Sequence, residues 1–285
     1  MSDTPQDWSA ERVARVLLDA ETAREAQTSI VAEWDGLDLA TAYEAQDIAL
    51  RIRHERGEVT TGVKLGVTSK AKQRQVGVDS PSTAWLTDAM VLPAGEPIPR
   101  ERMIHPRVEP EIASVMGERL QAPGAHLGLE QSRADGGDAV GVVLDAGAHD
   151  FFGLPASAVG AVEVIDSRFA GYQFTMTDVI ADNSSSGYYV TGPVALAPEQ
   201  LDLALEAVLV EVDGEVVDSA TGAAVAGHPA EALAFAANTL AERGLAIEPG
   251  WVVITGGMTD AVPVKPGMRI AAHFTHLGSI TLSGG

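Results

Sequence analysis

Cysteine is absent from the 285 residues, which removes disulfides, thiolate zinc centres and cysteine nucleophiles together. Basic residues are scarce: 19 Lys and Arg stand against 40 Asp and Glu, a formal charge of −21. Such a chain repels polyanions, so nucleic-acid binding would need a local basic patch. The nearest candidate, Lys70 to Arg74, is short and has no interleaved aromatics. Surplus acid of this kind serves solubility more often than recognition. No uninterrupted apolar run approaches the roughly 20 residues a membrane helix needs. Met1 to Trp8 is polar and acidic, unlike a secretory leader. The expectation is a cytoplasmic protein. Hydrophobic residues make up 46% of the chain, enough for a sizeable core, so wholesale disorder is excluded. The length suits one large domain, with or without a small lobe.

The chain changes texture near residue 60. Before it, Val13, Val16, Leu17 and Ala20 fall on one helix face, and Ala45, Ile48, Ala49 and Ile52 repeat that spacing. Asp38 is the expected N-cap of the second helix and Gly57 its stop. From Thr60 onward, short β-like runs alternate with Gly and Pro: 62–67, 105–116 and 161–165. Leu205 to Val212, then Asp213-Gly214, then Glu215 to Val217 carries a hairpin signature. Pro229 to Arg243 reads as a helix with Gly244 after it, and 251–255 and 269–274 read as closing strands. The prediction is an α+β chain: a helical N-terminal lobe, 1–59, on a β-rich body, 60–285, forming a single functional unit. Regular βα alternation, as in a Rossmann fold or TIM barrel, is missing. Residues 121–150, rich in Gly, Ala and Asp around Gly136-Gly137-Asp138, are expected to form a surface excursion.

Four local patterns could carry chemistry. In the run Val108-Glu109-Pro110-Glu111-Ile112, residues two apart share a strand face, which sets two carboxylates side by side. They repel unless a cation or proton separates them. Glu163 stands among apolar neighbours and needs a partner if buried. Three carboxylates without cysteine suit a hard divalent cation. Solvent-facing glutamates, with Glu163 paired to Arg168 or another base, are the alternative. Lys64 lies in an apolar run flanked by Gly62 and Gly66. A lysine withdrawn from water gives up its proton more readily, which suits proton transfer, whereas an edge-strand lysine simply snorkels. Asp178 to Gly187 gathers two acids, an amide and three hydroxyls, as a pocket lining or a turn. Thr255-Gly256-Gly257-Met258-Thr259 could bring backbone amides to a ligand or form a tight turn. No histidine pair shows the spacing of a zinc helix, and His273 and His276 read as structural.

In order along the chain, these patterns resemble the hydratase/decarboxylase family of meta-cleavage pathways. The similarity rests on Gly62-Val63-Lys64-Leu65-Gly66-Val67-Thr68-Ser69, Gly77-Val78-Asp79-Ser80-Pro81, His105 to Ala113, Glu163 to Arg168, Asp178 to Ser186, Gly227-His228-Pro229 and Thr255 to Thr259. It runs from about Asp38 to Leu282. It implies a mixed β-roll of the fumarylacetoacetate-hydrolase-like superfamily around a divalent metal, Mg²⁺ or Mn²⁺, with no organic cofactor. It places Glu109, Glu111 and Glu163 on the metal, and Lys64, Thr68, Asp79 and Ser185 around the substrate, with Lys64, Asp79 and Ser185 in catalytic positions. It further implies a small 2-oxo dicarboxylate as substrate, a homo-oligomer, and a complex with a homologous hydratase; nucleic acid and membrane are not expected partners. One departure stands out: the stretch between Glu111 and Glu163 is longer than usual for the family.

Two activities divide that family: decarboxylation of 2-oxo-3-hexenedioate and hydration of 2-hydroxypenta-2,4-dienoate. His105-Pro106, where hydratases tend to carry Gln-Pro, and Tyr172 to Ile180 resemble the decarboxylase branch. Asp79 is shared and does not discriminate. A β-rich protein that binds metal without turnover is the non-enzymatic alternative.

Overall fold

A computed structural model describes residues 8–69, 73–74, 80–121, 127–132, 139–144 and 155–285. Asp79 and most of the Lys70 to Arg74 stretch lie outside these residues.

Two helices open the chain. In α1 (Ala10–Ala23), Ser9 Oγ accepts a hydrogen bond from Arg12 N at 3.3 Å; in α2 (Leu39–Glu55), the Asp38 carboxylate accepts from Thr41 N at 2.8 Å. Each bond satisfies a donor that the first helical turn leaves open. Val13, Leu17, Ala20, Ala45, Ile48 and Ala49 are buried as the spacing predicts, while Val16 and Ile52 are half-buried. The two apolar faces form one cluster with Phe169, Ile180 and Ala181. The helical lobe therefore shares its core with residues far along the chain.

The strands follow in chain order: β1 (Thr60–Gly66), β2 (Ser82–Thr87), β3 (Arg107–Met116), β4 (Leu127–Ser132), β5 (Ala139–Leu144), β6 (Pro155–Ile165) and β7 (Tyr188–Leu196). After them come β8 (Ala207–Val212), β9 (Glu215–Thr221), β10 (Val252–Ile254), β11 (Val262–Pro263), β12 (Arg269–Phe274) and β13 (Ser279–Ser283). The large sheet runs β2-β1-β10-β3-β6-β7, with β11 also on β3. Its β1–β10 pair is parallel and the others antiparallel, so the sheet is mixed. A second sheet runs β13-β12-β8-β9. Its β8–β9 hairpin turns at Asp213-Gly214, with φ of 51° and 93°, the two positive angles that a type I′ turn requires.

Two more helices complete the body. α3 (Met176–Ala181) starts with a reciprocal cap between Thr175 and Asp178. α4 (Pro229–Glu242) has proline in its first turn and His228 Nδ1 accepting from Ala230 N at 3.0 Å. The main core gathers Val63, Val108, Ile112 and Val162 of the large sheet, Val208, Val210 and Ile270 of the small one, and Leu233 and Leu240 of α4.

The expected excursion at 121–150 contains regular strand structure. Within it, β4 and β5 pair antiparallel over six positions as a sheet of their own. Leu127-Gly128-Leu129 and Val140 to Leu144 carried a strand signal that the surrounding Gly and Asp content masked. Residues 122–126, 133–138 and 145–150 lie outside the described residues.

Candidate metal and substrate site

The antiparallel register of β3 and β6 sets Glu109 directly opposite Glu163. Glu111, two residues on, leaves the same face as Glu109. One carboxylate oxygen from each of the three lies within 4.8 Å of the others. The opposite face of β3 presents Val108 and Ile112 to the main core, so the acidic face is fixed by the burial of its neighbours. All three glutamates are buried, Glu111 and Glu163 almost wholly, at 0% and 1% exposure.

Few partners compensate them. The Gly256 amide donates to Glu111 Oε2 at 2.5 Å. Gly256 has φ of 108°, and a Cβ there would fall 2.2 Å from Thr68 Oγ1, so only glycine lets this backbone reach the carboxylate. The loop is tied to β3 by Thr255 Oγ1, which donates to Ile112 O at 2.8 Å. Glu163 Oε2 lies 2.8 Å from Lys64 Nζ, a close ion pair whose approach is poorly aligned for a hydrogen bond. Glu111 Oε1 and Glu163 Oε1 have no hydrogen-bond partner. Burial pushes the Glu111 carboxyl well above the ordinary carboxylate range, and the charges of Glu163 and Glu109 add to the effect. Burial likewise raises Glu163, with Lys64 opposing. Clustered, dehydrated carboxylates with orphaned oxygens are the donor set a hard divalent cation fits.

Lys64, on β1, is 3% exposed, which rules out the snorkelling alternative. Its Nζ also donates to Ser184 O at 2.8 Å. That carbonyl belongs to an unusual turn: Asn183, Ser184 and Ser185 have φ of 48°, 48° and 58°. Non-glycine residues rarely adopt this conformation singly, and each costs about 1 kcal/mol or more. The turn is held by Asn183, whose Oδ1 accepts from Trp85 N at 2.8 Å and whose Nδ2 donates to Trp85 O at 2.9 Å. Ser184 Oγ is also 2.9 Å from Ser82 Oγ.

The polar run from Asp178 to Gly187 divides between scaffold and site. Asp178 accepts from Ser29 Oγ at 2.6 Å and Ile30 N at 2.9 Å, tying the N-terminal segment to α3. Asp182 pairs with Arg168. The base that pairs with Glu163 is therefore Lys64, not Arg168, which is taken by Asp182. Ser184 and Ser185 line a cavity of about 680 Å³, together with Lys64, Thr68 and Glu109. Ser185 Oγ is within 3.4 Å of Asp182 Oδ2 as well. Asp79 lies outside the described residues. His273 and His276 contact Ser279 and Glu206 and are not among the cavity lining.

Sequence reasoning did not single out Arg107, Tyr172, Phe174 or Asp260, which line the same cavity. For Arg107 the signal was available, since it stands two residues before Glu109 on the same strand face. Its guanidinium lies over the Tyr172 ring, 4.0 Å from the centroid.

A mixed β-roll with a buried carboxylate triad beside a lysine defines a metal-competent enzyme centre of the fumarylacetoacetate-hydrolase-like kind. Residues 161–282 match the family model described as fumarylacetoacetate (FAA) hydrolase C-terminal. The chain is 37% identical over 249 residues to a 4-oxalocrotonate decarboxylase of Pseudomonas sp. (strain CF600), covering 87% of this chain and 86% of that one. It is 35% identical over 245 residues to a 2-keto-4-pentenoate hydratase of Burkholderia vietnamiensis, covering 86% of each. A solved 4-oxalocrotonate decarboxylase of Pseudomonas putida G7, complexed with magnesium and adipate, superposes with a TM-score of 0.85 at 35% identity over 97% of both chains. The chain belongs to the 4-oxalocrotonate decarboxylase and 2-keto-4-pentenoate hydratase family. It is an enzyme of the lyase type. No helix among the described residues is long and apolar enough to cross a membrane.

Proposed function

We propose that this enzyme decarboxylates 2-oxo-3-hexenedioate to 2-hydroxypenta-2,4-dienoate and CO₂, with Mg²⁺ or Mn²⁺ and no organic cofactor. The observation that carries the chemistry is the buried, under-compensated triad Glu109, Glu111 and Glu163 beside Lys64. Those three carboxylates would hold the cation. When bound, it supplies a Lewis acid that favours negative charge on the 2-oxo oxygen.

The conjugated enone is its own electron sink. As the bond to the distal carboxyl breaks, its electron pair moves into the chain and the 2-oxo oxygen becomes that of a dienolate. Lys64 Nζ, fixed by Glu163 and by Ser184 O, would place positive charge beside that oxygen and deliver the proton that completes the dienol. Phe174, Val179 and Ile165 give the cavity apolar wall; a departing carboxylate held against them would be poorly solvated, which favours neutral CO₂. Thr68 and Ser185 offer hydroxyls to the bound substrate, and Asp79 would complete the polar lining.

His105-Pro106 supports decarboxylation over hydration. The His105 ring lies 4.8 Å from that of the cavity-lining Tyr172, tilted by 36°, and burial holds its imidazole below the ordinary histidine range. The helical lobe, 1–59, and the body, 60–285, would act as one functional unit, as a homo-oligomer able to engage a homologous hydratase; sedimentation velocity with and without such a hydratase tests both associations. For the reaction, metal-loaded protein is assayed with both candidate substrates. Rapid CO₂ release from 2-oxo-3-hexenedioate is expected. Rapid formation of 4-hydroxy-2-oxopentanoate from the dienoate, with no CO₂ from the dicarboxylate, would replace this reading with the hydratase.

A further inference from the structure

Arg107 and Glu109 leave the same face of β3 and line one cavity. The Arg107 guanidinium is stacked on Tyr172 at 4.0 Å. Tyr172 is itself immobilised: its hydroxyl donates to Ile165 O at 3.1 Å and His105 O at 3.3 Å, and the His105 ring lies 4.8 Å away. Stacking fixes the plane of a guanidinium while leaving its in-plane N–H donors available. Among the described residues, no carboxylate lies within the 4.0 Å of an ion pair with Arg107, whereas Lys64 is engaged by Glu163. Arg107 thus presents a preorganised, half-buried cation to the cavity at the end where the three glutamates stand.

We propose that Arg107 binds the substrate carboxylate adjoining the 2-oxo group, so that the enzyme grips the end of the molecule that is not lost. An arriving carboxylate brings negative charge to a cavity that Glu109 already lines, and Arg107 is a cation on the same wall. Chemistry decides which carboxylate it is. A guanidinium on the departing carboxylate would stabilise the ionised ground state against neutral CO₂ and oppose the reaction. The adjoining carboxylate keeps its charge throughout, so Arg107 contributes equally to ground and transition states and acts on KM more than on kcat. Tyr172 is a positioning residue that holds the guanidinium plane. The inference rests on the proposed class of 2-oxo acid substrate, but not on decarboxylation itself, since a hydratase substrate carries the same end.

The test compares the full-length protein with Arg107→Met, Arg107→Lys, Tyr172→Leu and Tyr172→Phe. Calorimetry measures binding of Mg²⁺ alone, then of 2-oxobutyrate and 2-oxoadipate to the Mg²⁺-loaded proteins. Arg107→Met is expected to weaken both acids by the same factor, about 10- to 100-fold, with Mg²⁺ affinity unchanged. KM should rise by a similar factor with kcat within about threefold. Arg107→Lys keeps the charge but loses the planar fork and should fall between. Tyr172→Leu should reproduce part of the loss, and Tyr172→Phe, which keeps the ring but not its hydroxyl anchors, should lose less. Weakening of 2-oxoadipate alone would put Arg107 on the distal carboxylate and overturn the proposal. Unchanged binding of both acids would overturn it too. If the protein hydrates the dienoate and releases no CO₂, decarboxylation fails as a reading, while equal weakening of both acids still upholds Arg107.

Discussion

β6 and the residues just beyond it contribute to two buried charge clusters that are built in opposite ways. Around Arg168, nearly every polar atom has a partner. Its Nε engages the Asp182 carboxylate, its Nη1 donates to Ser186 O at 2.8 Å, and its Nη2 donates to Asp182 O at 2.5 Å. Asp182 Oδ2 accepts from the Arg168 amide at 3.1 Å and lies near two serine hydroxyls. Even so, burial lifts the Asp182 carboxyl to about 6. Around Glu163, the Lys64 ammonium and the Gly256 amide meet Glu163 and Glu111, and Glu111 Oε1 and Glu163 Oε1 have no hydrogen-bond partner. The same fold that satisfies one buried pair so fully leaves buried carboxylate oxygens open in the other. The first cluster is architecture, joining β6 to the turn that carries Ser184. The second is a donor set that a hard divalent cation fits.

Breaking the satisfied cluster should have the largest effect on stability. Arg168→Met would leave Asp182 buried without its counter-charge and cost about 3–5 kcal/mol, read as a lowered urea midpoint with an unchanged m-value. The double variant Arg168→Met/Asp182→Leu should recover much of that loss, because the uncompensated charge is gone. Equal midpoints for Arg168→Met and the parent would show that the pair contributes nothing net.

The same kind of change at the other cluster should act in the opposite sense. Glu163→Gln removes one of three mutually repelling carboxylates. In exhaustive chelator it is expected to be at least as stable as the parent. Its Mg²⁺ affinity and turnover should nevertheless fall together, by about 10²-fold or more, as expected when one of a few ligands is lost. Full turnover of the parent protein in chelator would remove the metal from the argument altogether.

An effect confined to the rate is expected at Lys64. Lys64→Met should lower kcat by about 10²- to 10³-fold, the range for loss of a positioned proton donor or electrostatic group, with Mg²⁺ binding retained. A near-parental rate would return Lys64 to a purely structural counter-ion of Glu163.

The contrast between the clusters also marks what the sequence could reveal. The i, i+3, i+4 spacing of α1 and α2, the Asp38 cap, the Asp213-Gly214 hairpin and the shared face of Glu109 and Glu111 are consequences of local geometry, and each was legible from neighbours in the chain. The pairing of Glu109 with Glu163 depends on the register between strands more than fifty residues apart. The choice of Lys64 over Arg168 as partner of Glu163 depends on where β1 and the Asn183–Ser185 turn meet. That turn itself was invisible, because three successive left-handed residues have no sequence period. Gly256 looked like any turn glycine until its amide was seen against Glu111. β4 and β5 were obscured for the opposite reason: a real period-two signal was diluted by flanking Gly and Asp.

The smallest expected effect tests whether the carboxylate cluster is as open as its geometry implies. Burial and the neighbouring carboxylates raise the Glu111 carboxyl above its unfolded value of 4.5. A carboxyl whose pKa is raised by folding lends stability that is fully present below the unfolded value and is lost as pH rises through the folded one. In chelator, the parent protein should therefore lose ground relative to Glu111→Gln, which carries no titrating group there, as pH rises from 5 to 8. A Tm difference growing by about 2–4 °C in favour of the variant corresponds to about 1 kcal/mol for a chain of this size. Taking the difference between the two proteins removes the contribution of acids remote from Glu111, including the general self-repulsion of a chain with charge −21, and leaves that of Glu111 and the two carboxylates coupled to it. Mg²⁺ should reverse the sign, because a cation favours the ionised carboxylate, and should stabilise the parent more at pH 8 than at pH 5. A Tm difference that stays flat across this range would mean that Glu111 ionises freely in the fold, and that the triad is as well compensated as the Arg168–Asp182 pair.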